Sequence, residues 1–172
     1  MTNQTHASAA AFVAVVIVTN VITATLGVVT WLGIAATAGT WLAGLAFVAR
    51  DWVHDALGPR WVAACILAGA AISAAFSPAL ALASATAFLL SELADFAVYA
   101  PLRKRGRVRA ALASNIVGSV VDSAVFLLIA GFPMALLGTQ VGLKVAVSTA
   151  TVLLIAWGSR ALLRQSVDPA GA

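Results

Sequence analysis

Two carboxylates stand inside the apolar run "SELADFAVYA". Glu92 and Asp95 share a helical face with Tyr99, at i, i+3 and i+7. A second polar stripe carries Asn115, Ser119 and Asp122 with Gly118 beside them. A third places Gln140, Lys144, Ser148 and Thr151 at i, i+4, i+8 and i+11. Near the N-terminus Asn20, Thr23, Gly27 and Thr30 line up at i, i+3, i+7 and i+10. A carboxylate can accept two parallel N–H donors, and hydrogen bonds to a charged acceptor are the stronger kind. The candidate substrate-binding residues are therefore Glu92, Asp95, Asn115 and Asp122, with Lys144 as charge partner or substrate contact, and Asn20 and Tyr99 beside them. An alternative reading is that the Ser and Thr residues satisfy helix carbonyls and let helices pack closely. The acids are harder to explain that way. Each costs about 2.5–3.5 kcal/mol at the centre of a membrane helix, so such residues usually face a bundle interior and work there.

The elements that carry these stripes are apolar. The chain has 172 residues, 62% hydrophobic and 9% charged, with mean hydropathy +1.03. A soluble domain has about 25% charged residues, so a water-soluble globule is excluded and lipid is the expected solvent. The expected fold is all-α, a polytopic membrane protein in one integral membrane domain. Six apolar runs are expected as spans, at Ala9–Trp31, Ala36–Leu57, Trp61–Ser77, Ala79–Pro101, Arg109–Gly131 and Leu136–Leu163. The breaks carry turn chemistry: "LGPR", "SP", "APLRKRGR" and "GFPM". Strands of an outer-membrane barrel would alternate apolar and polar residues, and these runs do not.

All the Lys and Arg residues except Lys144 fall on one side of a six-span arrangement. The densest group is Arg103, Lys104, Arg105, Arg107 and Arg109 in the fourth connection. The positive-inside rule puts that side and both termini in the cytoplasm. The same clustering makes nucleic acid a poor explanation of the net charge of +4. Cys65 is single, so no internal disulfide forms. His6 and His54 belong to no ligand pattern, and no metal or other cofactor is expected. "MTNQTHASAA" has no basic n-region, so the first apolar segment is expected to stay as a membrane helix.

Depth follows from the rise of about 1.5 Å per helical residue. Asp122 and Lys144 come out at about the same level, about 20 and 22 Å above the cytoplasmic side, which suits an ion pair. Glu92, Asp95, Asn115 and Asp51 form a lower acidic layer at about 8–14 Å. The second span ends "FVARDWVHDALGPRW", with Arg50 and His54, and Asp51 and Asp55, at i and i+4. Two readings remain open there: a snorkelling, self-neutralising helix end, or a gate.

"SELADFAVYAPLRKR" followed by "SNIVGSVVDSAVFLLIA" resembles the signature of the queuosine-precursor transporters, also called the vitamin uptake transporter family. The matching residues are Ser91, Glu92, Asp95, Val98, Tyr99, Leu102, Arg103, Ser114, Asn115, Gly118, Asp122 and Ser123. "VTNVITATLG" and "VARDWVHDALGPRW" resemble weaker elements of the same family. The family usually carries an acidic "TD" in the second span, where this chain reads Arg50-Asp51. The resemblance implies uptake of a 7-deazaguanine base, such as 7-cyano- or 7-aminomethyl-7-deazaguanine, across the inner membrane. It also implies a bundle similar to the substrate-binding component of energy-coupling-factor transporters. The expected partners are a purine-like solute and the lipid bilayer, with an energy-coupling-factor ATPase module, as in the rival reading below, or a second copy of the chain as further candidates. Ala7 and Ala11, at i and i+4, are a faint docking hint for such a module. A guanine-type edge offers two adjacent donors to a carboxylate, and flat bases stack on aromatic rings. The competing readings are a vitamin-binding component of such an ATPase complex, an intramembrane enzyme and a membrane assembly protein. The enzyme reading is weakened by the lack of a G-x-S-x-G elbow and by the placement of His54 near a helix end.

Overall fold

A computed structural model describes residues 2–167. Helix α1 (Thr2–Leu26) leads into strands β1 (Val28–Trp31) and β2 (Ile34–Thr37). Helices α2 (Thr40–Leu57), α3 (Pro59–Ser73), α4 (Pro78–Leu102), α5 (Arg107–Ala130) and α6 (Leu137–Val167) follow. Short 3-10 turns at Arg103–Arg105 and Met134–Leu136 join the last three helices.

The hairpin is a departure from the all-α expectation. A first span running to Trp31 was expected, but α1 stops at Leu26. The next residues, "VVTWLGIAAT", are rich in β-branched and aromatic types and hold a two-residue turn. Leu32 (φ 53°) and Gly33 (φ 78°) both take positive φ, as a type I′ hairpin turn requires. The strands pair antiparallel from Val28 opposite Thr37 to Trp31 opposite Ile34. Apolar content alone does not separate such a strand from a helix end. The start of the expected second span, at Ala36, likewise falls in β2, and α2 begins at Thr40. The third helix ends at Ser73, four residues before the expected Ser77. It starts on Pro59, a residue suited to the first helical position because its missing N–H would have had no partner there.

Helix α4 packs along α5, α2 packs against α6 and α1, and α1 also packs on α3. The larger apolar core lies where α1, α2, α3 and α4 meet, around Phe12, Ala49, Val53, Ile66 and Phe88. A smaller one, Leu80, Ala83, Ala87 and Phe126, joins α4 to α5. The buried faces carry small residues, so helices approach closely. At Gly39 an added Cβ would run into the Thr19 backbone carbonyl and the Thr23 hydroxyl. Its N–H donates to Thr23 Oγ1 at 2.9 Å, which fixes the hairpin's return to α2 against α1.

The outside is apolar, with Leu93, Leu128, Leu154 and Trp157 all largely exposed. Three helical stretches among the described residues are long and apolar enough to cross a membrane: His6–Leu26, Pro78–Leu102 and Leu112–Ala130. The bases Arg160 and Arg164 lie outside the residues whose side chains are described, as do those of Arg103 and Arg107.

Candidate functional site

Polar side chains gather in two layers inside the bundle. The first lines a cavity of about 50 Å³ bounded by α1, β2, α2, α4, α5 and α6. On α6, Lys144 is 3% exposed. Its Nζ donates to Asp122 Oδ2 at 2.5 Å and to Ser123 Oγ at 2.9 Å. One turn earlier, Gln140 is fully buried, and its Nε2 donates to Thr37 Oγ1 at 3.1 Å. Thr37 shares a 2.7 Å hydrogen bond with Thr40. The hairpin is thereby tied to α6, and Thr139 Oγ1 adds a 2.6 Å bond to the Ala35 carbonyl. Asn20 on α1 donates from Nδ2 to Ser73 Oγ at 3.2 Å. Phe88 and Phe126 supply aromatic wall. Gln140 Oε1 is buried and accepts no hydrogen bond. A buried polar atom without a partner typically costs about 1–3 kcal/mol.

The second layer lies one helical turn beyond the cavity. Arg50 follows the cavity residue Ala46 by one turn on α2, and Glu92 follows Phe88 by one turn on α4. Arg50 is 3% exposed and is the hub. Its Nε and Nη2 both donate to Asp51 Oδ1, at 2.9 and 2.6 Å, and its Nη1 donates to Glu92 Oε2 at 2.7 Å. Asp95 Oδ2 stands 3.7 Å from the same Nη1. The guanidinium carbon lies 5.7 Å from the Phe47 ring centroid, within cation–π range. His54 Nδ1 is 3.5 Å from the other Glu92 oxygen. The snorkelling part of the helix-end reading is overturned, since the charged head of Arg50 points inward to Glu92 and Asp95, while the self-neutralising part holds, since Arg50 also pairs with Asp51.

The expected site residues divide between the layers. Asn20, Asp122 and Lys144 line the cavity. Glu92 and Asp95 are not among its lining residues and are held around Arg50 instead. Asn115 is buried on α5 and Tyr99 is half-buried on α4, and neither lines the cavity. Sequence reasoning left the role of Arg50 open, although two acids on one face of α4 required a partner and Arg50 was the one base of comparable depth. Thr37 and Thr40 were missed because their approach to α6 depends on the hairpin. Among the described residues no group of His, Cys, Asp and Glu could hold a metal ion.

The chain matches the family described as "Putative vitamin uptake transporter" over residues 6–158. The chain belongs to the vitamin uptake transporter family. That match takes in both polar layers, the whole of α2 to α5 and most of α1 and α6, so the site is read within a membrane protein of a transport family. No curated protein and no solved structure matches the chain at a significant level. Within the cavity wall, Asp122 and Lys144 offset each other's charge.

Proposed function

We propose that this protein imports a queuosine precursor, 7-cyano- or 7-aminomethyl-7-deazaguanine, or a similar purine-like solute, across the inner membrane. The proposed arrangement has six spans in a bundle similar to the energy-coupling-factor substrate-binding components, with both termini cytoplasmic. The observation that carries the substrate class is the chemistry of the cavity wall. An uncommitted acceptor, Gln140 Oε1, a charge-balanced Asp122–Lys144 pair and the rings of Phe88 and Phe126 surround one space. A flat solute with several N–H donors matches all three features, since bases stack on aromatic side chains and bury their donors only against acceptors.

The cavity's present volume adds a requirement. A cavity of about 150 Å³ is what holds a single benzene ring, and this one is about 50 Å³. A bicyclic base therefore enters only if the helices or the hairpin move outward, as transport demands in any case. In this reading Glu92, Asp95 and Arg50 close the cytoplasmic side of the cavity while the hairpin closes the outer side. The acids of α4 and Asn115 and Tyr99 then meet the solute on its way out.

The test is uptake of radiolabelled 7-cyano-7-deazaguanine into a host lacking its own precursor transport. Expression of the protein should raise uptake well above the empty vector, and excess unlabelled base should compete. Uptake equal to the vector, with the protein present in the membrane, would remove this reading.

A further inference from the structure

We infer that the solute's donor edge is read by two neutral side-chain amides, Gln140 on α6 and Asn20 on α1, rather than by the carboxylates of α4. The inference rests on the proposed import of a purine-like base and names the atoms that select it. Both amides line the cavity, and both are held the same way round. Gln140 donates its Nε2 to Thr37 Oγ1, and Asn20 donates its Nδ2 to Ser73 Oγ. An amide whose nitrogen is engaged by a hydroxyl presents its oxygen as an acceptor. Gln140 is 0% exposed and its Oε1 has no partner in the bundle. Buried polar atoms are almost always hydrogen-bonded, and an exception calls for an explanation. A ligand donor arriving in the cavity supplies one.

The charged acceptors are less available. Arg50 occupies Glu92 Oε2 and stands close to Asp95, and both acids lie outside the cavity wall. Asp122 lines the wall, but its Oδ2 is held by Lys144. A site built to bond a substrate's N–H groups rejects an analogue lacking one, because the site's own acceptor is then left buried and unpaired. Gln140 and Asn20 are therefore specificity-determining residues. Their selectivity is for the number of N–H donors on the base.

The experiment is calorimetric titration of the purified full-length protein in detergent with two probes. One is 7-cyano-7-deazaguanine, and the other is the same base without its 2-amino group. Wild type should prefer the first. Gln140→Met keeps the side chain's length and removes the acceptor. It should bind the amino-bearing base about tenfold more weakly or worse, about 1.4 kcal/mol, and lose less than about threefold for the other. Should Gln140→Met prove misfolded, Asn20→Leu carries the same comparison on α1. Equal losses for the two probes would overturn the inference while leaving the proposed function standing, since the amides would then be supporting the fold. Binding of neither probe by a folded wild-type protein would overturn both.

Discussion

Lys144 on α6 and Asp122 on α5 stand 2.5 Å apart, and Ser123 Oγ takes a second ammonium proton at 2.9 Å. Removing one member leaves the other charge buried and unpaired, at about 3–5 kcal/mol. Asp122→Asn alone should therefore lower thermal stability in detergent sharply. Asp122→Asn combined with Lys144→Gln should recover most of the loss. A double variant as unstable as the sum of the singles would show that the two do not depend on each other.

Arg50 should tolerate no replacement, not even by lysine. Its fork donates to Asp51 and Glu92 at once, and Asp95 lies within 3.7 Å. An ammonium is a point charge without that geometry. Arg50→Lys is expected to unfold at a clearly lower temperature than wild type, and Arg50→Met lower still. Wild-type melting for Arg50→Lys would mean that charge alone suffices.

The proposed orientation predicts a labelling pattern. In a Cys65→Ala background, a cysteine at Arg105 should be protected from impermeant maleimide in intact cells. One at Met134, on the other face and exposed, should react. Reaction at Arg105 from outside would reverse the assignment of sides.

Gly39 should be sensitive even to alanine. The new methyl group would occupy the place of the Thr19 carbonyl oxygen, a backbone atom that cannot swing away. Overpacking of this kind typically costs about 1–3 kcal/mol. Gly39→Ala should lower the melting temperature, whereas Gly138→Ala, with open space around its Cβ position, should leave it within error.

Much of this was legible in the residues. The pairing of Asp122 with Lys144 follows from two single charges at matching depth on neighbouring helices. The helix breaks at "LGPR" and "GFPM" follow from Gly and Pro chemistry, with Gly58 and Gly131 at the breaks. The hairpin was not legible, because "VVTWLGIAAT" is as apolar as the helix before it. Only the Leu32-Gly33 turn marks it, and leucine is an unusual residue at positive φ. Nor was the division of the site into two layers. Counting residues along a helix sets depth but not rotation or neighbour. Glu92 and Asp95 therefore shared the stripe of a binding face while their partner, Arg50, sat 42 positions earlier on another helix.

That separation has a consequence for how the protein is made. Arg50 leaves the ribosome 42 residues ahead of Glu92, a lag of about 2–8 s at about 5–20 residues per second. Throughout it, the guanidinium of α2 has only the neighbouring Asp51 to offset its charge, and leaving a buried charge without its partner is costly. If α2 spans the bilayer as proposed, it settles there fully only after the fourth helix has been synthesised. In that arrangement, a nascent chain stalled between α3 and α4 would leave Arg50 without its counter-charge on Glu92.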